Sequence, residues 1–272
     1  MLDVATASMI AAAVIWHLLA SRATAKLGLI RPNFSGKLIP ASYGIAAFGY
    51  VVAGVIVFAQ CGLVKWPVAR LYVWMMGAMW ALGALDDIFG SREVGGFAGH
   101  FRKLIFERKL TTGAIKALGG GIVGIAAGWA VSGGKPWLWA GTAVIIPLTA
   151  NLLNLFDLRP GRALAVFFVG LGVTYVVVLG KMQAPWITGT IVAVALAFGI
   201  ADSRGKAMMG DSWSNALGAA LGLTMALDAP ILIGPAIVVF VAIHLYSEKH
   251  SISALIERNP VLRSIDRRLG VR

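Results

Sequence analysis

The chain has 272 residues, 58% of them hydrophobic and only 13% charged, with a mean hydropathy of +0.81. A water-soluble domain of this length is not so poor in charge, so composition excludes an ordinary soluble enzyme and leaves an all-α polytopic membrane protein. The net charge of +12 falls in the connections between apolar runs, which marks membrane topology and argues against a nucleic-acid surface.

In chain order, apolar stretches near the length that spans a ~30 Å hydrocarbon core recur. They lie at about 2–20, 41–61, 66–85, 113–131, 136–156, 160–180, 184–201, 212–227 and 229–246. About nine transmembrane helices are expected, forming one integral membrane domain over 1–246. A basic amphipathic tail, 247–272, follows it. The first run has no positive residue before it and Arg22 and Lys26 after it, so it is expected to stay as an anchor with its amino terminus outside. Of the 24 lysines and arginines, all but Lys65, Arg70, Lys135 and Lys181 then fall on the inner side. That bias places the carboxyl terminus in the cytoplasm and the chain in a cell membrane, as in the bacterial cytoplasmic membrane. Cys61 is the only cysteine, so no intrachain disulfide forms. In the tail, Val261, Leu262, Ile265 and Leu269 make an apolar stripe opposite Arg263, Arg267 and Arg268. Such a helix is expected to lie on the membrane lipid of the inner leaflet.

With odd segments running inward, the polar residues at the segment ends share one face. Segment three ends in "GALDDIFG", where Asp86 and Asp87 point about 100° apart and are suited to different tasks. Segment five ends in "NLLNLFDLRPGR", which puts the substrate-binding candidates Asn151 and Asn154 and the catalytic candidate Asp157 within an arc of about 120°, with Arg159 and Arg162 following as further candidates for substrate contact. "MMGDSWSNALG" places Asp211 just before the eighth segment. Carboxylates and amides converging from separate helices suit Mg²⁺, with Mn²⁺ as an alternative, because these ions take oxygen ligands and share them with phosphate. In the loop after segment three, His100, Arg102 and Lys103 are candidates for a diphosphate contact, and Thr111 and Thr112 mark a helix start. Asp202 reads as a loop or capping residue.

"LDDIFG", "NLLNLFD" and "MMGDSWSNALG", in this order and at matching helix ends, resemble the polyprenyl-phosphate N-acetylhexosamine-1-phosphate transferase superfamily. That group includes phospho-N-acetylmuramoyl-pentapeptide transferase and the GlcNAc-1-phosphate transferases, and the resemblance covers residues 20–225 approximately. It implies that Asp86 and Asp87 are the paired catalytic aspartates and Asp211 the metal-binding one. It also implies that Asn154 lies near metal and substrate and that Asp157 begins the following motif. Lys103 and Lys37 resemble basic residues of the family's second and first cytoplasmic loops. Two features differ. Where the family has Asp-Gly-x-Asp-Gly, this chain reads Asp157-Leu158-Arg159-Pro160-Gly161-Arg162, and the family's late cytoplasmic loop has no counterpart.

The activity implied is Mg²⁺-dependent transfer of a sugar-1-phosphate from a nucleotide-diphosphate sugar to polyprenyl phosphate, a step of cell envelope biosynthesis. The acceptor is a lipid, nucleic acid is excluded, and a homodimer is compatible with the chain. Direct attack and an aspartyl-phosphate intermediate are both open. Two other classes compete: a catalytically inactive paralogue acting as a membrane scaffold, and a polytopic transporter. A transporter calls for polar groups near mid-membrane, whereas these crowd the segment ends.

Overall fold

The structure is a computed structural model that describes residues 4–26, 30–33, 35–40, 43–90 and 111–271. Each of the nine apolar segments forms a helix. In order these are α1 (Val4–Lys26), α2 (Gly44–Gln60), α3 (Trp66–Phe89), α4 (Thr112–Ser132) and α5 (Pro136–Phe156). They continue as α6 (Arg162–Val177), α7 (Pro185–Ser203), α8 (Gly210–Asp228) and α9 (Ile233–Lys249). The tail adds α10 (Ile252–Arg258) and α11 (Pro260–Leu269). Prolines stand in the first turns of α3, α5 and α7, where a missing N–H costs nothing and the fixed φ suits the helix. Thr111 opens α4 by accepting a hydrogen bond from Ala114 N at 3.2 Å, and Gly133 closes it with a left-handed φ of 53°.

Five segments are long and apolar enough to cross a membrane: α3, α4, α5, α7 and Pro230–Lys249, which joins a short 3₁₀ turn to α9. The apolar parts of α1, α2 and α6 are shorter, at Ser8–Ala20, Ala46–Gln60 and Arg162–Val177. The eighth segment differs from its neighbours, because every residue of α8 from Ser212 to Ala226 is buried. It packs between α3 and α5, with α2 and α6 beside it. A helix enclosed on all sides needs small residues where other backbones come close. Gly218 and Gly222, one turn apart, provide this: a Cβ on either would collide with Thr149 of α5. Gly44 of α2 meets Trp213 in the same way, and that indole is fully buried. Deeper in the bundle, the hydroxyls of Tyr72 and Thr224 pair at 2.9 Å and tie α3 to α8. The central helix is thereby fixed in rotation and depth, and so is its first turn.

A purely helical fold needs one correction. Between α1 and α2 lie two three-residue strands, β1 (Ile30–Pro32) and β2 (Leu38–Pro40), paired antiparallel with Arg31 opposite Ile39. Turn chemistry makes this hairpin: Asn33 Oδ1 accepts from Ser35 N at 2.9 Å and Lys37 N at 3.0 Å, and Gly36 supplies a φ of 79°. The exit of β2 is stitched to the loop before α8. Met208 N donates to Pro40 O at 2.9 Å, and Tyr43 N donates to Met208 O at 3.3 Å.

Candidate active site

Everything in the polar cluster is arranged around the first turn of α8. Its N–H groups have no partners within the helix, so other groups must take them. Asp87, from the end of α3, takes two: its Oδ1 accepts from Asp211 N at 2.8 Å and its Oδ2 from Ser212 N at 3.0 Å. Asp157, at the end of α5, accepts from the N–H of Gly210. Gly210 itself has a φ of 74°, a left-handed conformation open to glycine, and this turns the chain into the helix. Two carboxylates from separate helices therefore cap α8, where the positive end of the helix dipole favours negative charge.

The remaining groups face one another. Asp86, rotated from Asp87 by one helical step, hydrogen-bonds with the side chains of Thr112 and Asp211. Lys116, one turn into α4, lies between the two carboxylates, with Nζ 2.5 Å from Asp211 Oδ2 and 3.4 Å from Asp86 Oδ2. Asn154 Nδ2 donates to the same Asp211 oxygen at 2.6 Å. Side-chain exposures of 23% for Asp86, 16% for Lys116 and 26% for Asp211 leave the group reachable from outside the bundle. The α3 and α5 carboxyl ends and the α4 and α8 amino ends thus meet at one end of the bundle.

Charge is unbalanced here. Among the described residues, four carboxylates (Asp86, Asp87, Asp157 and Asp211) gather around one ammonium, that of Lys116. Withdrawal from water holds the Asp157 carboxyl well above the usual carboxylate range, and the charges of Asp202, Asp211 and Asp87 push it the same way. A carboxyl whose folded value lies above its unfolded one contributes stability at low pH and loses it as pH rises through the folded value. Asp157→Asn can still accept the Gly210 N–H. It is expected to melt higher than the parent near about pH 8, with the gain vanishing toward about pH 4, where an unfolded aspartate takes up its proton. A gain that grew on acidification would contradict this.

Among the described residues, no group of three His, Cys, Asp or Glu side chains is placed to hold a metal ion. The donor set does fit Mg²⁺ shared with a ligand. That ion is held by one or two carboxylates and completes its octahedron with water and phosphate oxygens, so an all-protein cage is not needed. Asp86 and Asp211, two carboxyl groups in mutual contact and both facing Lys116, are such a pair. The Asn154 amide beside them adds a carbonyl oxygen.

Of the residues singled out from sequence, Asp86, Asp87, Asn154, Asp157 and Asp211 are brought together. Asn151, one turn earlier on α5, is half-buried and makes no hydrogen bond to the cluster among the described residues. Lys37 is exposed in the hairpin turn, and Arg159 is half-buried in the turn after α5. His100 and Lys103 lie outside the described residues. Arg162, a candidate for substrate contact, has its guanidinium engaged away from the cluster. Its guanidinium is buried and already committed, donating to both oxygens of Asp266 at 2.7 and 2.9 Å and to Ser253 Oγ at 2.7 Å. Lys116 is the residue that sequence reasoning missed. Its signal was an ionisable side chain inside the apolar run "TTGAIKALGGG". Asp202 does cap, as expected, accepting from Gly161 N at 2.7 Å.

Gly83 shows how tightly the site is set. A Cβ there would overlap the backbone of Asp211 and Ser212, so α3 can touch the start of α8 only through glycine. Gly83→Ala is expected to displace Asp211 and cost about 1–3 kcal/mol, the range for overpacking a core. Melting temperature should fall; a variant that melts as the parent does would contradict the close approach.

No protein-family model matches the sequence, and none of the curated proteins matches it either.

Proposed function

We propose that these four helix ends form a phosphosugar transferase site. It moves a sugar-1-phosphate from a nucleotide-diphosphate sugar to polyprenyl phosphate and releases a nucleoside monophosphate. The observation that carries this reading is the convergence of Asp86, Asp211, Asn154 and Lys116 at one wet end of an otherwise apolar bundle. A diphosphate brings negative charge, which an ammonium and a divalent cation neutralise. Its lipid acceptor arrives through the membrane, and its nucleotide arrives from water.

Asp86, Asp211 and the Asn154 carbonyl are the groups that would hold Mg²⁺, which supplies charge neutralisation to the diphosphate when bound. Lys116 turns from the carboxylates toward phosphate oxygens and stabilises the charge that develops on them. The acceptor phosphate is largely a dianion at neutral pH and needs no strong base. One of its oxygens attacks the phosphorus joined to the sugar. The bond from that phosphorus to the bridging oxygen breaks, and the oxygen leaves with the nucleoside monophosphate. Asp87 and Asp157 act as positioning residues that keep Asp211 in place through the backbone. Both oxygens of Asp87 are engaged, so a covalent aspartyl-phosphate route would fall to Asp86.

The charge bias favours a cytoplasmic position for this end of the bundle, with an external amino terminus. Cys61, exposed between α2 and α3, then faces outward and serves as a native reporter. In intact cells it should react with an impermeant thiol reagent. Arg268→Cys, in a background carrying Cys61→Ser, should not. The reverse pattern would overturn the orientation and with it access to a cytoplasmic nucleotide sugar.

The activity test is incubation of the purified protein with polyprenyl phosphate, Mg²⁺ and a panel of nucleotide sugars. Release of a nucleoside monophosphate that requires both lipid and metal is expected. No release across a broad panel would favour a scaffold.

A further inference from the structure

The tail helix α11 has two working faces. At about 100° per residue, Val261, Ile265, Leu269 and Leu262 share one arc of the helix, and Asp266 lies at about a right angle to its centre. The arc faces outward: Val261 is 67% exposed, Ile265 51% and Leu262 40%. Asp266, by contrast, is buried in its ion pair with Arg162 of α6. Arg263, Arg267 and Arg268 are exposed around the remaining side. Arg267 and Arg268, with Ser203 and residues 269–271, line an open hollow of about 500 Å³.

Beyond α11 the chain presses on the turn that follows α5. A Cβ on Gly161, whose φ is 80°, would overlap the carbonyl of Leu269. Gly270 packs against the carbonyls of Pro160 and Ser203, and Val271 N donates to Ser203 O at 2.9 Å. Gly161 is held from the other side by Asp202. Four residues before Gly161 comes Asp157, the carboxylate that takes the first N–H of α8. Tail, turn and central helix form one continuous set of contacts.

We propose that α11 is a strap between the lipid surface and the site: its apolar arc and arginines dock on a bilayer bearing anionic phosphate headgroups, and the Arg162–Asp266 pair transmits that docking to the turn of residues 157–162. Charge complementarity selects the occupant, because an apolar stripe flanked by three arginines matches acyl chains topped by anionic phosphate. Continuity along the chain points the same way. Helix α9, whose Val238 is 70% and Leu245 66% exposed, presents an apolar wall to hydrocarbon and ends at Lys249, at the start of the tail. Arg162 and Asp266 are positioning residues in this scheme; neither touches the groups that face substrate.

The test is hydrogen–deuterium exchange of the full chain in nanodiscs of phosphatidylcholine alone, and of phosphatidylcholine and phosphatidylglycerol in equal parts. Anionic lipid is expected to slow exchange about tenfold in both residues 261–271 and 157–164, as docking suppresses local opening. The exposed double variant Arg267→Gln, Arg268→Gln should lose that protection in both segments. Asp266→Asn should keep it in the tail and lose it in the turn. Equal exchange in the two lipids for the unaltered chain would overturn the lipid docking. Lipid-dependent protection of the turn persisting in Asp266→Asn would overturn transmission through the Arg162–Asp266 pair. Protection reproduced by inorganic phosphate in phosphatidylcholine discs would assign the arginines to a soluble anion and overturn the lipid assignment. None of these readouts uses turnover, so the result stands apart from the transferase assay.

Discussion

Asp211→Asn is expected to slow monophosphate release by about 10²-fold or more, the scale seen when one stabiliser of developing charge is lost from a phosphoryl-transfer site. Asparagine keeps the shape but removes the anion that faces Lys116 and that, in the proposed site, would help to hold a divalent cation. The helix start should survive, because Asp87 and Asp157 hold backbone N–H groups and not the Asp211 side chain. Melting temperature should therefore change little while turnover collapses. Asp87→Ala should behave differently. Both of its bonds go to the α8 amino terminus, so it should cost about 0.5–2 kcal/mol as a lost cap and lose activity by misplacing Asp211. Equal, Mg²⁺-independent release by the parent and Asp211→Asn would remove this carboxylate from the chemistry.

The second large effect lies away from the reacting groups. Arg162→Leu takes both guanidinium hydrogen bonds from the buried Asp266 carboxylate, and breaking one side of such a pair costs about 3–5 kcal/mol. The variant should melt several degrees lower and lose the docked tail. Replacing both partners, Arg162→Leu with Asp266→Leu, should recover much of the loss, because an apolar pair leaves no uncompensated charge. A double variant as unstable as the single one would show that the pair itself is not what holds the tail.

The helical segments were legible because long apolar runs bounded by charge have few alternatives. Asp86, Asp87, Asn154, Asp157 and Asp211 were legible for a related reason, since carboxylates and amides at the ends of such runs are conspicuous. Which carboxylate does what was not. Asp86 and Asp87 are adjacent in sequence, and only the packing of α3 on α8 through Gly83 shows one capping and the other facing Lys116. Lys116 was passed over because it was counted with the other basic residues of that side, although it lies inside an apolar run. The engagement of Arg162 was not legible, as its partner Asp266 lies 104 residues further along the chain. The burial of α8 was foreshadowed by Gly218 and Gly222, a pair of small residues one turn apart, but apolar length alone made it look like any other span. The hairpin escaped because its strands are only three residues long, too short for any alternation to register.

The central claim concerns which bond breaks. A nucleotide sugar carrying radioactive phosphorus in the phosphate next to the sugar distinguishes phosphosugar transfer from transfer of the sugar alone. With polyprenyl phosphate and Mg²⁺, the label is expected to move into the lipid fraction while the released nucleoside monophosphate stays unlabelled. Asp211→Asn should move it at least about 10²-fold more slowly. Label remaining on a nucleoside diphosphate while sugar appears on the lipid would contradict phosphosugar transfer, and so would label movement that ignores both Mg²⁺ and Asp211.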